Sequence, residues 1–472
     1  MSIPSILPKR SLGLKLILVC GLVLLMAIPA MFISYISFER SGRADTVTQE
    51  VSKRYGGEQY IGGPVLVVPY FTMGSENKHG ESGHYLISPE DGLASFTDIK
   101  TVIKKRSLFK VPIYTAKGML SARFEPIDMD QIGKGRILDW SQAKIVISLT
   151  DGRGLKEDIY LTDDRGQSYK FEPDTKPIDV SVAFEAVTGL SMTGTGFQHH
   201  RSLGGQILSV PAEDFIQSAE AFEVQAELEI GGASRLGFYP FAKSTIINIA
   251  SDWASPGFQG GFAPVEQDIS KTGFSARWSV PYLARGIQAQ GPSHQLGLLS
   301  NVQKAMTVQF VSEVNPYQTV NRALKYSVMF IGLVFVTFFL FETLIGKPVH
   351  AAQYILIGLA QTIFYLLLLA FSEHVGFALA FFIAAFATTG LTAAYAGAVF
   401  GERRYAIQAG GVFAMTYSLL FGLMRMQDFA LLIGALASFA AVALTMYFTR
   451  NVDWYDASRS VSKSPKDVGP QT

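Results

Sequence analysis

Glu373 and His374 are the adjacent residues in this sequence whose types best suit chemistry, because they interrupt two long uncharged apolar stretches. A carboxylate beside an imidazole can accept a proton or form a weak metal site. An ionisable group at membrane depth is costly and is a functional candidate by default. The structural alternative is that both cap helix ends at the headgroup level, with Ser372 and Glu373 near the positive N-terminus of the following helix. Glu342 lies near the end of an earlier apolar stretch. It either snorkels to the interface and pairs with Lys347 or serves as a buried polar group. Arg425 and Asp428 occupy another short break; they pair with each other at the surface, or with Glu373 across the mouth of a bundle. No metal or cofactor is expected. His199 and His200 would point to opposite faces of a strand, and no cysteine or acidic cluster completes a ligand set. The phosphate-binding, zinc-protease and serine-hydrolase signatures are absent, so no enzyme is expected.

These residues need elements to hold them. The chain has 472 residues, a formal net charge of +1 and 17% charged residues, against about 25% in typical soluble proteins. The near-neutral balance excludes nucleic-acid binding driven by charge. The few charges between Tyr326 and Phe448 cut that region into apolar blocks near the 20 residues or so that cross a bilayer: 326–345, 352–371, 375–399, 406–424 and 429–448. Another apolar run, Leu16 to Ile36, follows Lys9, Arg10 and Lys15. It is longer than the apolar core of a secretory leader and lacks a convincing cleavage site, so it is expected to stay as an anchor. In lipid each run must satisfy its own backbone hydrogen bonds and is therefore a helix. The excess of Lys and Arg in one set of short loops assigns residues 1–15 and 449–472 to the cytoplasm. Ala393, Gly397 and Gly401 recur every four residues, which suits close helix packing within the bundle or in a dimer.

Residues 39–325 contain no spanning run. They alternate with period two instead: Phe222, Val224, Ala226, Leu228 and Ile230 are interleaved with Glu223, Gln225, Glu227 and Glu229. Such alternation marks half-buried strands, and an antiparallel β-sandwich is the natural class. A faint echo between Ser148–Asp151 and Ala250–Trp253 suggests two lobes meeting near residue 180. Trp253 and Trp278 are read as sandwich core or, alternatively, as a surface for a ligand. The single cysteine, Cys20, lies in the first apolar run, so the middle domain has no disulfide.

Several stretches together resemble the CreD family of bacterial inner-membrane, cell-envelope integrity proteins. They are Gly62-Gly63-Pro64-Val65-Leu66-Val67-Val68-Pro69-Tyr70, Leu108-Phe109-Lys110-Val111-Pro112-Ile113-Tyr114, Asp252-Trp253, and Gly273-Phe274-Ser275-Ala276-Arg277-Trp278. They continue through Arg322-Ala323-Leu324-Lys325-Tyr326, Gln353-Tyr354-Ile355-Leu356-Ile357-Gly358-Leu359-Ala360, Phe364-Tyr365, Ser372-Glu373-His374 and Asp453-Trp454-Tyr455. The likeness runs in order over nearly the whole chain. It departs at Ala254-Ser255-Pro256, where a His is expected just before the Pro. The resemblance implies one N-terminal span, a periplasmic domain, a C-terminal multispan region and a role in envelope stress, with no agreed chemistry. The expected contacts are membrane lipids and an unidentified periplasmic or envelope partner. Three function classes follow. The first is a non-enzymatic envelope protein that binds or senses through its strand-rich domain. The second is a transporter or lipid-handling bundle, disfavoured because few polar residues line the spans and the polar groups sit at their ends. The third is a membrane enzyme using Glu373 and His374.

Overall fold

The computed structural model describes residues 12–72, 82–106, 108–127, 135–174, 206–216, 220–286, 288–293, 304–310, 316–426 and 429–450. The chain forms two compact units, one from Met1–Ala44 and Val314–Thr472, the other from Asp45–Glu313.

The first unit is helical. It takes the apolar part of α1 (Leu12–Arg54), then α2 (Pro316–Lys325), α3 (Ser327–Ile345), α4 (Ala351–Val375), α5 (Phe377–Phe400), α6 (Arg403–Arg425) and α7 (Ala430–Thr449). Six of these helices are long and apolar enough to cross a membrane: α1 and α3 to α7. The exception, α2, is amphipathic. Tyr317, Val320, Ala323 and Leu324 are buried, and Arg322 and Lys325 stand in its last turn. Small residues set the helix spacing. A side chain on Gly358 of α4 would strike Met26 of α1 at 2.7 Å, and one on Gly397 of α5 would come within 2.9 Å of Ala406 of α6. Gly410 likewise faces Ala393, so this stripe of small residues is used between α5 and α6 of one chain. Gly401 stands at φ 78° and ends α5 as its left-handed C-cap.

The second unit is built on eighteen described strands. The first six are β1 (Gln59–Phe71), β2 (Ser82–Ile87), β3 (Asp91–Arg106), β4 (Phe109–Phe124), β5 (Ile137–Leu138) and β6 (Lys144–Leu149). Next come β7 (Tyr160–Asp163), β8 (Ser168–Lys170), β9 (Glu172–Pro173), β10 (Gln206–Pro211), β11 (Phe222–Ala233) and β12 (Arg235–Phe238). The last are β13 (Ser244–Ser251), β14 (Pro256–Gly260), β15 (Glu266–Ser270), β16 (Gly273–Val280), β17 (Gln290–Pro292) and β18 (Met306–Phe310). One sheet runs β14-β18-β12-β1-β6-β10-β9, with β2 and β5 also paired to β1 and β17 paired to β2; the other runs β15-β16-β13-β3-β4-β11-β7-β8. The alternation read along β11 is real: Phe222, Val224, Ala226, Leu228 and Ile230 are buried, while Glu223, Gln225 and Glu227 are exposed.

The two sheets share one core, as a sandwich requires. Phe96 meets Phe238 at 4.9 Å, Tyr114 meets Phe310 at 4.8 Å, and Phe258 meets Trp278 at 5.6 Å, each pair spanning both sheets. Trp278 is fully buried, and its Nε1 donates to Phe262 O at 3.1 Å. It is core and offers no surface. Trp253 is half-buried, edge-on to Phe310, with Nε1 donating to Ser255 O.

A division into lobes near residue 180 does not match the sheets. β1 pairs in parallel with β12, and β3 in parallel with β13, so each sheet interleaves both halves of the sequence. The echo also fails in detail, because Leu149 ends a strand of one sheet and Ser251 a strand of the other. A different recurrence is present. The course β1, β3, β4, β6 and the course β12, β13, β16, β18 each start in the first sheet, make two strands of the second and return.

The isolated segment 45–313 is expected to give β-type circular dichroism. Trp278→Ala should lower its unfolding free energy by about 3–5 kcal/mol in a denaturant titration, as large-to-small core changes do. A predominantly helical spectrum would contradict the sheet assignment.

Candidate functional site

Two buried or nearly buried carboxylates of the helical unit each draw partners from more than one helix. The first is Glu342, one turn before the end of α3, with a buried side chain. Its carboxylate takes an ion-paired hydrogen bond from Lys15 of α1, one from the Tyr354 hydroxyl of α4 at 2.9 Å and one from the Val349 backbone N–H at 2.9 Å. Lys347, the partner suggested by proximity in sequence, is engaged elsewhere. Its Nζ donates to Phe400 O at 2.6 Å and so caps the C-terminal end of α5. Three donors suit a carboxylate removed from water, since each lone pair left empty would cost free energy. His350 completes this end as the N-cap of α4, in a reciprocal capping box with Gln353.

The second is Glu373, which lies inside the last turns of α4 and not at the start of α5. Its side chain is 9% exposed. It accepts from the Tyr317 hydroxyl of α2 at 2.9 Å and faces Arg40 of α1 at 3.7 Å. His374 is exposed; neighbours in a helix point about 100° apart and do not face each other. The two side chains therefore leave the helix in different directions. Arg425 ends α6 exposed, with its guanidinium 5.6 Å from the Phe421 ring, so Glu373 takes its cation from Arg40. Asp428, His199 and His200 lie outside the described residues. Among the described residues no group of three or more His, Cys, Asp or Glu could hold a metal.

A third feature corrects the expectation that the polar groups of the bundle sit at the ends of the spans. Gln361, Thr362 and Tyr365 of α4, Thr388 and Thr392 of α5, and Tyr417 of α6 are buried well inside their spans. The Tyr417 hydroxyl donates to Gln361 Oε1 at 2.6 Å. Among the described residues the Gln361 amide nitrogen has no hydrogen-bond partner. None of these residues carries charge, so a search for charges passes over them. Their signal is a Gln four residues before a Tyr on one helix face.

The strand-rich unit holds two more features that the sequence does not advertise. Arg285 is 1% exposed; it donates to Ala242 O and Ser88 Oγ, each at 2.8 Å, and burial pushes its pKa down to about 10. An open groove lies where β3 bulges beside β13, lined by Asp98, Lys100, Thr101, Ala250, Asp252 and Thr272. Asp252 is fixed there by the Thr101 N–H at 2.9 Å and hydroxyl at 2.6 Å, and Trp253 follows it directly.

Comparison with known proteins agrees with this architecture. A family model described as "Inner membrane protein CreD" matches residues 11–455. The chain is also 28% identical over 471 residues to the Escherichia coli (strain K12) inner membrane protein CreD, covering 98% of this chain and 97% of that protein.

Lys15→Leu is expected to cost about 3–5 kcal/mol, the usual result of stranding one buried charge, and Glu342→Leu less, because the Lys15 side chain is 25% exposed. The double variant should recover most of that loss. Reversible unfolding in mixed micelles reads the difference; single losses that simply add would show that the two side chains do not interact.

Proposed function

The chain belongs to the CreD family of inner membrane proteins, and from that premise we propose that it supports envelope integrity as a non-enzymatic sensing protein. In this reading the strand-rich domain stands in the periplasm, both termini are cytoplasmic, and the bundle receives what the domain senses. The Lys and Arg bias of the short loops supports that orientation. The groove beside Asp252 and Trp253 is where a periplasmic or envelope partner binds.

The observation that carries the reading is the position of Glu373. The chain enters the strand-rich domain through α1 and returns from it through α2. Glu373 of α4 holds both connectors, Arg40 on the first and Tyr317 on the second. A change in the domain that pulls on either connector is felt at one carboxylate. A two-state element biased from a second site is what coupling needs.

Glu373→Gln is expected to leave abundance and folding intact but abolish tolerance of envelope stress. The exposed His374→Ala should retain tolerance. Full tolerance in Glu373→Gln at normal abundance would overturn the coupling. A photoreactive group at position 253, used in intact envelopes, should capture a reproducible protein or glycan. A second reading, lipid handling or transport, is favoured by the orphaned Gln361 amide alone. It expects Gln361→Leu to lose tolerance without loss of stability; retained tolerance would set that reading aside.

A further inference from the structure

The long hairpin of β3 and β4 carries a feature that neither the bundle nor the groove uses. Between Asp98 and Glu125 the chain has seven basic residues and no acidic one: Lys100, Lys104, Lys105, Arg106, Lys110, Lys117 and Arg123. The ladder runs to the tip, where Lys104 pairs with Val111, Lys105 with Lys110 and Arg106 with Phe109. Cross-strand partners share a face, so the tip has two distinct sides.

One side packs against the end of α1 within the strand-rich unit. Arg106 Nη1 donates to Glu50 at 2.7 Å, Lys104 lies 6.0 Å from the Tyr55 ring centroid, and Val111 is fully buried. The other side is open. Ile103 is 46% exposed there, Leu108 at the turn is 40% exposed, and Lys105 and Lys110 stand directly opposite each other without an ion pair among the described residues. Like charges facing across strands are unfavourable unless something negative covers them. Aliphatic side chains set among lysines are the composition of a surface that enters the headgroup region of an anionic bilayer.

The tip is also tied to an apolar segment by covalent connection. Its partner Glu50 lies on α1 and follows Ile36, the last residue of the apolar run, by 14 residues. A contact tethered so closely is effectively intramolecular and needs little intrinsic affinity.

We propose that the β3–β4 tip is a docking surface for anionic phospholipid headgroups of the membrane that holds α1. Lys105 and Lys110 meet the phosphates, and Ile103 and Leu108 enter the interface. This docking is independent of the sensing role.

The test uses the full chain in nanodiscs, with Cys20→Ser removing the single cysteine and Leu108→Cys carrying an environment-sensitive fluorophore. Discs of phosphatidylcholine alone are compared with discs containing one-third phosphatidylglycerol, both with headgroup spin-labelled lipid as quencher. Quenching at least twofold greater in the anionic discs is expected, reversed by half-molar salt and by Lys105→Glu with Lys110→Glu. The salt titration needs no further variant, so a folding defect in the charge-reversed protein does not obscure the result. Equal quenching in the two discs, or none in either, overturns the proposal. The second result would direct attention to a protein occupant of the tip.

Discussion

A carboxylate placed in a bundle of membrane helices must find its own donors, because no water is there to solvate it. Glu342 meets that demand with Lys15, the Tyr354 hydroxyl and the Val349 N–H. The donors come from α1, α4 and the turn between α3 and α4, so satisfying one charge fixes the places of three helices. The apolar packing around it then follows. Met26 lies against Gly358, and Phe335 sits edge-on to Tyr354 at 5.7 Å. Van der Waals contact alone holds helices weakly in lipid, where the tails are as apolar as the side chains. The ion pair supplies what packing cannot, a unique register for α1. Glu373 repeats the arrangement with Arg40 and Tyr317, on the two connectors of the strand-rich domain.

That domain is stabilised differently. With Cys20 the sole cysteine, it has no crosslink and depends on burial. β1 is buried along almost its whole length, as a strand at the centre of a covered sheet must be. Trp278, Phe96, Phe124 and Phe238 fill the space between the sheets and are nearly all inaccessible. Loss of any one of them leaves a void that the close-packed neighbours fill only in part.

Much of this was legible in the sequence, and the reasons are physical. An N-terminal apolar helix, a strand-rich middle and five apolar helices follow from charge-free blocks and from period-two alternation, both local signals. Partnerships were not legible. Lys347 is five residues from Glu342, yet the partner is Lys15, 327 residues away, because helix packing brings together what the chain separates. The amphipathic α2 reads as part of the strand-rich region, since its buried face of Tyr317, Val320 and Leu324 is too short for a hydropathy signal. The polar end of α1 is hidden for the related reason that Glu39 to Arg54 is helical without being apolar. Two lobes looked natural along the sequence. They dissolve because parallel pairing, which needs a crossover, weaves the halves together.

The parallel pairs also impose an order on synthesis. β1 is complete at Phe71, but its parallel neighbour begins at Arg235; β3 is complete at Arg106, and its neighbour begins at Ser244. At roughly 5–20 residues per second the ribosome needs on the order of 10–30 s to supply either one. During that interval β1 lacks its neighbour along Gln59–Ile61 and β3 along Asp91–Ile99, and an unpaired strand edge can pair with a neighbouring chain. A chain cut short before β12 would have no way to close either sheet.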